Sequence, residues 1–240
     1  MRPDLGTPCA RCAYNGRGLS SSCALHTMIR VLIADDHAVV AEGLRHLIQM
    51  EPDMQVVGCV ADGVQAVRCS LETNPDIVLM DNAMPDLNGT EATLQLRGRR
   101  PTTRVIMLSM HTDPVLVWRA LDAGARGYVL KKSVAKDLME AIRTVYGGRR
   151  YLSRPLLDSV FNHLTVNNTS SDPLARLSAR ERQVVQMLAE GRAMAEIATL
   201  QSLSLKTVET YRARAMVKLG VRDFAGLVKF AVRHGMTSFE

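Results

Sequence analysis

From Met28 onward, short apolar runs alternate with segments of helical period. Ile29 to Ala34, Met54 to Val60, Ile77 to Met80, Arg104 to Leu108 and Tyr128 to Leu130 are brief and rich in β-branched residues, and read as strands buried on both faces. Between them, Val40, Leu44, Leu47 and Ile48 recur at helical spacing. Val64 to Leu71, Thr90 to Leu96 and Val115 to Ala123 follow suit, and Val134, Leu138, Ala141, Ile142 and Val145 mark a final amphipathic helix. Strict strand–helix alternation implies a parallel sheet with helices on both faces, so residues 28–148 are expected to form a doubly wound α/β domain closed by Gly147-Gly148.

The pattern then changes. Residues 149–173 read as a linker: Pro155, Leu156, Val160 and Leu164 suggest a short amphipathic helix, and Thr165 to Pro173 a polar, turn-prone connection. Over 174–240 only helical periodicity remains. Ser178-Ala179-Arg180-Glu181 is a capping box leading into Val184, Val185 and Leu188, with Gly191 as the stop. Ala193 to Gln201 is a second helix and Ser202-Leu203 a tight turn. Ser204 caps a third helix running to Leu219, and Asp223 caps a fourth that turns Phe224, Leu227, Val228, Ala231 and Val232 inward. Two helices joined by so short a turn make a helix-turn-helix candidate at about 194–213, although any small four-helix bundle shares the periodicity.

Charge separates the two units. The chain of 240 residues carries a net +6, yet residues 28–150 hold 15 basic and 15 acidic side chains, whereas 173–240 hold 11 and 6. The surplus therefore belongs to the helical unit, where a polyanion is the expected partner. Residues 1–27 read as a disordered or dispensable tail rich in Arg, Gly, Pro and Ser. Its Cys9-x-x-Cys12, Cys23 and His26 lack the second pair a zinc site would need. Cys59 and Cys69, in apolar strand and helix contexts, are expected to be small core residues. No apolar core of a signal peptide and no run near about 18 apolar residues occurs, so the expected setting is cytoplasmic, with no membrane partner.

Candidate chemistry gathers at the strand ends. Asp35-Asp36, Asp81, Ser109 and Lys131 each follow an apolar strand, and in open α/β sheets ligands bind along that carboxyl edge. A lone strand-ending Asp often only caps the next turn; five such placements describe a site. Three carboxylates within about 4 Å repel by about 4 kcal/mol per pair at an effective dielectric near 20, so the group calls for a cation, and hard oxygen donors suit Mg²⁺. With that charge met, Asp81 can attack phosphorus to give an aspartyl phosphate, Lys131 facing the phosphoryl oxygens and Ser109 donating to one.

The acidic pair in VLIADDH, the DNAMP loop, the hydroxyl after VIML and the lysine of GYVLK resemble, in order and spacing, the receiver domains of two-component response regulators. LSARERQVVQMLAEG, AEIA and SLKTVETYRARAMVKLGV look like the LuxR-type helix-turn-helix of the NarL/FixJ response regulators. The resemblance implies a flavodoxin-like receiver with a five-stranded sheet of order 2-1-3-4-5, followed by an all-α four-helix domain. It implies Mg²⁺ held by Asp36, Asp81 and the Ala83 carbonyl with Asp35 acting through water, and a coupled switch of Ser109 and Tyr128. It places Leu205 to Lys218 as recognition helix, with Glu209, Thr210 and Ala213 towards bases and Lys206, Thr207, Arg212, Arg214 and Lys218 on or near phosphates. Ser202 stands where glycine is usual, and Asn82-Ala83 where larger apolar residues are commoner.

The expected function is that of a DNA-binding response regulator, not an enzyme. A cognate histidine kinase phosphorylates Asp81, and the protein then forms a homodimer on double-stranded promoter DNA, with RNA polymerase as a further contact. The alternatives are a regulator that needs no phosphorylation and an adaptor whose receiver acts by binding a partner protein.

Overall fold

A computed structural model describes residues 28–157 and 173–237. Six strands, β1 (Ile29–Ala34), β2 (Met54–Val60), β3 (Ile77–Asp81), β4 (Arg104–Ser109), β5 (Gly127–Leu130) and β6 (Tyr151–Leu152), form one parallel sheet of order β2-β1-β3-β4-β5-β6. The expected order holds, and the expected count of five is corrected to six. Past Gly147-Gly148 the chain turns back beside β5, where Tyr151 N–H donates to the Arg126 carbonyl at 3.0 Å, so the first residues assigned to the linker extend the sheet.

Helices α1 (Ala38–Gln49), α2 (Gly63–Thr73), α3 (Gly89–Arg99), α4 (Pro114–Ala123) and α5 (Val134–Tyr146) alternate with the strands. The two faces of each central strand bury different partners, as the period of two requires. Leu32, Val78, Met80 and Met107 pack on α2, α3 and α4; Ile33, Leu79, Ile106 and Leu108 pack on α1 and α5. With polar caps at Asp62, Asn88 and Asp113, the helices start directly after the loops that carry the site. α3 runs on through Arg97-Gly98-Arg99, three residues past the expected stop, and ends at Arg100, whose N–H donates to the Leu96 carbonyl at 2.7 Å.

The second unit contains α6 (Ala179–Ala189), α7 (Met194–Leu200), α8 (Leu205–Leu219) and α9 (Phe224–Arg233), as the periodicity predicts. Val184, Val185, Leu188, Ile197, Val208, Ala215, Leu227 and Ala231 form its core. The Ser178–Glu181 capping box is complete, and Glu181 also accepts from Lys218 Nζ at 2.6 Å, tying the start of α6 to the end of α8. Two expected core residues lie outside. Phe224 is exposed at the first position of α9, and Cys59 is exposed on β2, whose free edge lacks a covering strand. Residues 154–157 are helical, with Leu156 buried; the rest of the expected linker helix, the polar connection up to 172 and the cysteines of the tail lie outside the described residues.

Candidate functional site

Strand register assembles the acidic site. Ala34 lies opposite Met80, Asp81 opposite Leu108 and Ser109 opposite Leu130, so Asp35, Asp36, Asp81, Ser109 and Lys131 all emerge at one end of four adjacent strands. Ligand atoms of Asp35, Asp36, His37 and Asp81 lie within 4.8 Å of one another. Lys131 Nζ bridges two of these acids, 2.8 Å from Asp35 and 3.0 Å from Asp81.

Burial pushes the Asp81 carboxyl up to about 6; the Lys131 ammonium pulls it down, and the neighbouring Asp35 and Asp36 push it up again. For Lys131 burial alone would lower the pKa, but the Asp81 and Asp35 carboxylates outweigh it and the ammonium is held more firmly than usual. One lysine faces three acids. The surplus negative charge and the carboxylate oxygens gathered there fit a hard divalent cation.

His37 lies close against the acids. Its Nδ1 lies 2.9 Å from Asp36 Oδ1 and 3.5 Å from Asp35 Oδ1, and its backbone N–H donates to Asp35 Oδ1 at 3.0 Å. The ring is about half exposed, so it lies over the acids from the solvent side.

Gly89 fixes the acceptor loop. A Cβ there would fall 2.1 Å from the Asp81 carbonyl oxygen, so the start of α3 reaches the acceptor strand only with glycine at this position. Ser109 is buried, and its Oγ accepts from the His111 N–H at 3.1 Å. Tyr128 is buried too, its hydroxyl donating to the His111 carbonyl at 3.3 Å. Burial raises its pKa to about 12, against a hydrogen bond to Ser109 that lowers it. The tyrosine ring is thus already inside, coupled to Ser109 and to the loop that follows β4.

The second unit docks on this same loop, a contact absent from the sequence-based expectations. Gln186 is buried: its Oε1 accepts from Asn88 N–H (3.1 Å) and Nδ2 (2.9 Å), and its Nε2 donates to the Met84 carbonyl (3.0 Å). Asn82, next to Asp81, donates through Nδ2 to the Gly235 carbonyl at 3.2 Å. Arg182 pairs with Glu91 at 2.5 Å, and Arg192 pairs with Asp86, whose φ of +64° is strained for a residue with a side chain. Arg119 on α4 donates to the His234 carbonyl at 2.7 Å. A buried glutamine in α6 gives no periodic signal, since its partners on the acceptor loop lie about 100 residues away.

On α8, Lys206, Glu209, Thr210, Ala213 and Arg214 are exposed together, so docking through α6 and the end of α9 leaves this face open. Thr207 is half-buried, within 2.8 Å of the Ser204 hydroxyl; Arg212 is half-buried; Lys218 is drawn onto Glu181. Ser202 adopts φ +53°, the left-handed conformation that its place in the turn demands.

Comparison with known proteins agrees with this architecture. Residues 31–143 match the family described as response regulator receiver domain, and residues 175–231 that described as bacterial regulatory proteins, luxR family. The oxygen regulatory protein NreC of Staphylococcus aureus (strain bovine RF122 / ET3-1) is 36% identical over 217 residues, covering 88% of this chain and all of that protein. A two-component response regulator of the LuxR family from Aurantimonas sp. SI85-9A1 is 36% identical, with a TM-score of 0.56 over 57% of this chain and 99% of that one. The response regulator RcsB in complex with DNA is 25% identical, with a TM-score of 0.53 over 85% of this chain and 97% of that one.

Proposed function

Because the chain belongs to the two-component response regulators that join a receiver domain to a LuxR-type DNA-binding domain, we propose that phosphoryl transfer to Asp81 governs how its helical domain engages promoter DNA. The observation carrying this reading is the placement of Asp81: it shares one buried pocket with Asp35, Asp36 and Lys131, and the loop leaving it is gripped by the second domain.

The donor is the phosphohistidine of a cognate kinase. An Asp81 oxygen forms a bond to phosphorus as the phosphorus–nitrogen bond breaks, and the departing imidazole nitrogen keeps the electron pair and takes up a proton. Asp35, Asp36, Asp81 and the Ala83 carbonyl would hold Mg²⁺, which when bound neutralises charge on the phosphoryl oxygens. Lys131, already 3.0 Å from Asp81, meets an oxygen of the incoming group, and Ser109 offers its hydroxyl to another. Releasing Asp81 from Lys131 and drawing Ser109 forward alters the partners of Tyr128 and of the 82–88 loop, hence the grip of Gln186 and Gly235 on that loop. Control thus acts on how the domains are held, since the outer face of α8 is uncovered in the docked arrangement.

DNA recognition falls to α8: Glu209, Thr210 and Ala213 read base edges, and Lys206, Thr207, Arg212 and Arg214 meet phosphates, joined by Lys218 once it leaves Glu181. The +5 balance of residues 173–240 and the likeness to a DNA-bound regulator support this. A symmetric dimer would present two such helices to two half-sites, with RNA polymerase contacted from the assembled complex. The working boundaries are 28–148 for the receiver, 149–173 for a linker whose first residues pair onto the receiver sheet, and 174–240 for the DNA-binding domain. Among the described residues no helix is long and apolar enough to cross a membrane.

The test is direct. Purified protein given Mg²⁺ and a small phosphodonor should gain one acid-stable, base-labile phosphoryl group, lost in Asp81→Asn and without Mg²⁺. Genome-wide mapping of bound DNA should then differ between wild type and Asp81→Asn; identical maps would overturn phosphorylation control.

A further inference from the structure

At the amino-terminal edge of the sheet, away from Asp81, lies a cavity of about 760 Å³, within the range of small-molecule sites. The ends of α3 and α4 and the starts of β4 and β5 line it, and it is open to solvent on one side. Four arginines line it, Arg97, Arg104, Arg126 and Arg150, against one acid, Asp122.

Two of the four are fixed by the fold. Arg97 Nη1 donates to the Asp122 carbonyl at 2.5 Å, and Arg104 Nη1 to the Tyr146 carbonyl at 3.0 Å. The Arg97 stem lies against Gly124 (φ +120°), where a Cβ would fall 2.9 Å from Arg97 Cδ, so glycine leaves the guanidinium its path. Arg126 and Arg150 make no side-chain hydrogen bond or ion pair among the described residues, which leaves two guanidinium forks available. Trp118, the single tryptophan of the chain, lines the same cavity and is 46% exposed, an unusual outlay of aromatic surface.

Guanidinium forks match phosphate oxygens two at a time, and an exposed indole offers a stacking face to a planar base. Four cations in one cavity exceed what a monocarboxylate would need, and the volume exceeds what inorganic phosphate would fill. We propose that this cavity binds a nucleoside polyphosphate, its phosphates on Arg126 and Arg150 beside Arg97 and its base against Trp118. The occupant would touch α4, the helix whose Arg119 holds the His234 carbonyl of the second domain. The proposal is independent of the chemistry at Asp81.

Because the chain has one tryptophan, fluorescence excited at the red edge of its absorption reports this cavity alone. The full chain, in EDTA to keep Mg²⁺ from the acidic site, is titrated with ATP, with pyrophosphate and with adenosine. The expected result is saturable quenching by ATP with half-saturation below about 1 mM, at least tenfold weaker for each half-ligand. Arg126→Ala/Arg150→Ala should weaken ATP at least tenfold with unchanged thermal unfolding, and Asp81→Asn should leave it unaltered. Absence of saturation, equal affinity for pyrophosphate, or indifference to the double substitution would each overturn the proposal.

Discussion

Single residues in this chain store energy that simple substitutions can read. The Asp81 carboxyl is pushed up to about 6 from its ordinary 3.8, above all by burial, so the folded chain holds this proton more tightly than the unfolded one. The sign follows: ionisation of Asp81 opposes folding, fully so above pH 6, and the opposition fades as pH falls from 6 towards 4. In EDTA, Asp81→Asn should raise unfolding free energy at pH 7.5 by about 1–3 kcal/mol, with the gain shrinking at pH 5. Urea titrations at both pH values check this, and equal stability of the two proteins at pH 7.5 would contradict it. Mg²⁺ should raise the melting temperature of wild type more than that of Asp81→Asn, since the substitution removes a ligand and the charge it relieves. Ser202 is the second such residue. At φ +53° a side chain is strained, so Ser202→Gly should stabilise the DNA-binding domain by about 0.5–1 kcal/mol, seen as a higher melting temperature, although glycine also gives freedom to the unfolded chain.

Among the elements, α8 carries the testable chemistry. Its charged outer residues differ in what they should report. Arg214, exposed and without a side-chain partner among the described residues, is assigned to a phosphate; Arg214→Ala should weaken binding to all duplexes alike and flatten the salt dependence of affinity by about one unit of slope. Glu209→Ala should instead leave that slope unchanged and alter preference at one base pair by about 1–3 kcal/mol. Competition binding at several salt concentrations separates the two outcomes, and the same response from both variants would remove α8 from the reading role. Lys218 differs from Arg214 because its ammonium helps hold Glu181 in the capping box, so its charge serves the fold before it can serve DNA.

For the whole molecule, the docking of α6 on the acceptor loop is the decisive arrangement. Gln186 satisfies three groups of that loop at once, and removing its amide leaves the Asn88 N–H and the Met84 carbonyl without their partner. Gln186→Ala should therefore loosen the docked state by about 1–3 kcal/mol. Small-angle scattering should show a larger radius of gyration, and promoter affinity of the unphosphorylated variant should move towards that of phosphorylated wild type. A compact variant with unaltered affinity would show that this grip plays no part in control.

Much of this protein is legible along the chain. Strand–helix alternation determines the parallel sheet, and the carboxyl, hydroxyl and amine groups that end its strands determine the acidic site, because a parallel sheet brings those ends to one edge whatever the loops do. Ser178 with Glu181, and Ser204 and Asp223, announce their helices through local hydrogen bonds that any chain makes with its neighbours. Only the folded molecule decides which surfaces meet across long separations. The sixth strand, the place of Cys59 on an uncovered sheet edge and the hold of Gln186 and Gly235 on the loop after Asp81 all depend on how segments far apart in the chain come together. Periodicity records that a residue is to be buried or bonded, and carries no record of its distant partner; that choice is made by shape and charge when finished elements pack together.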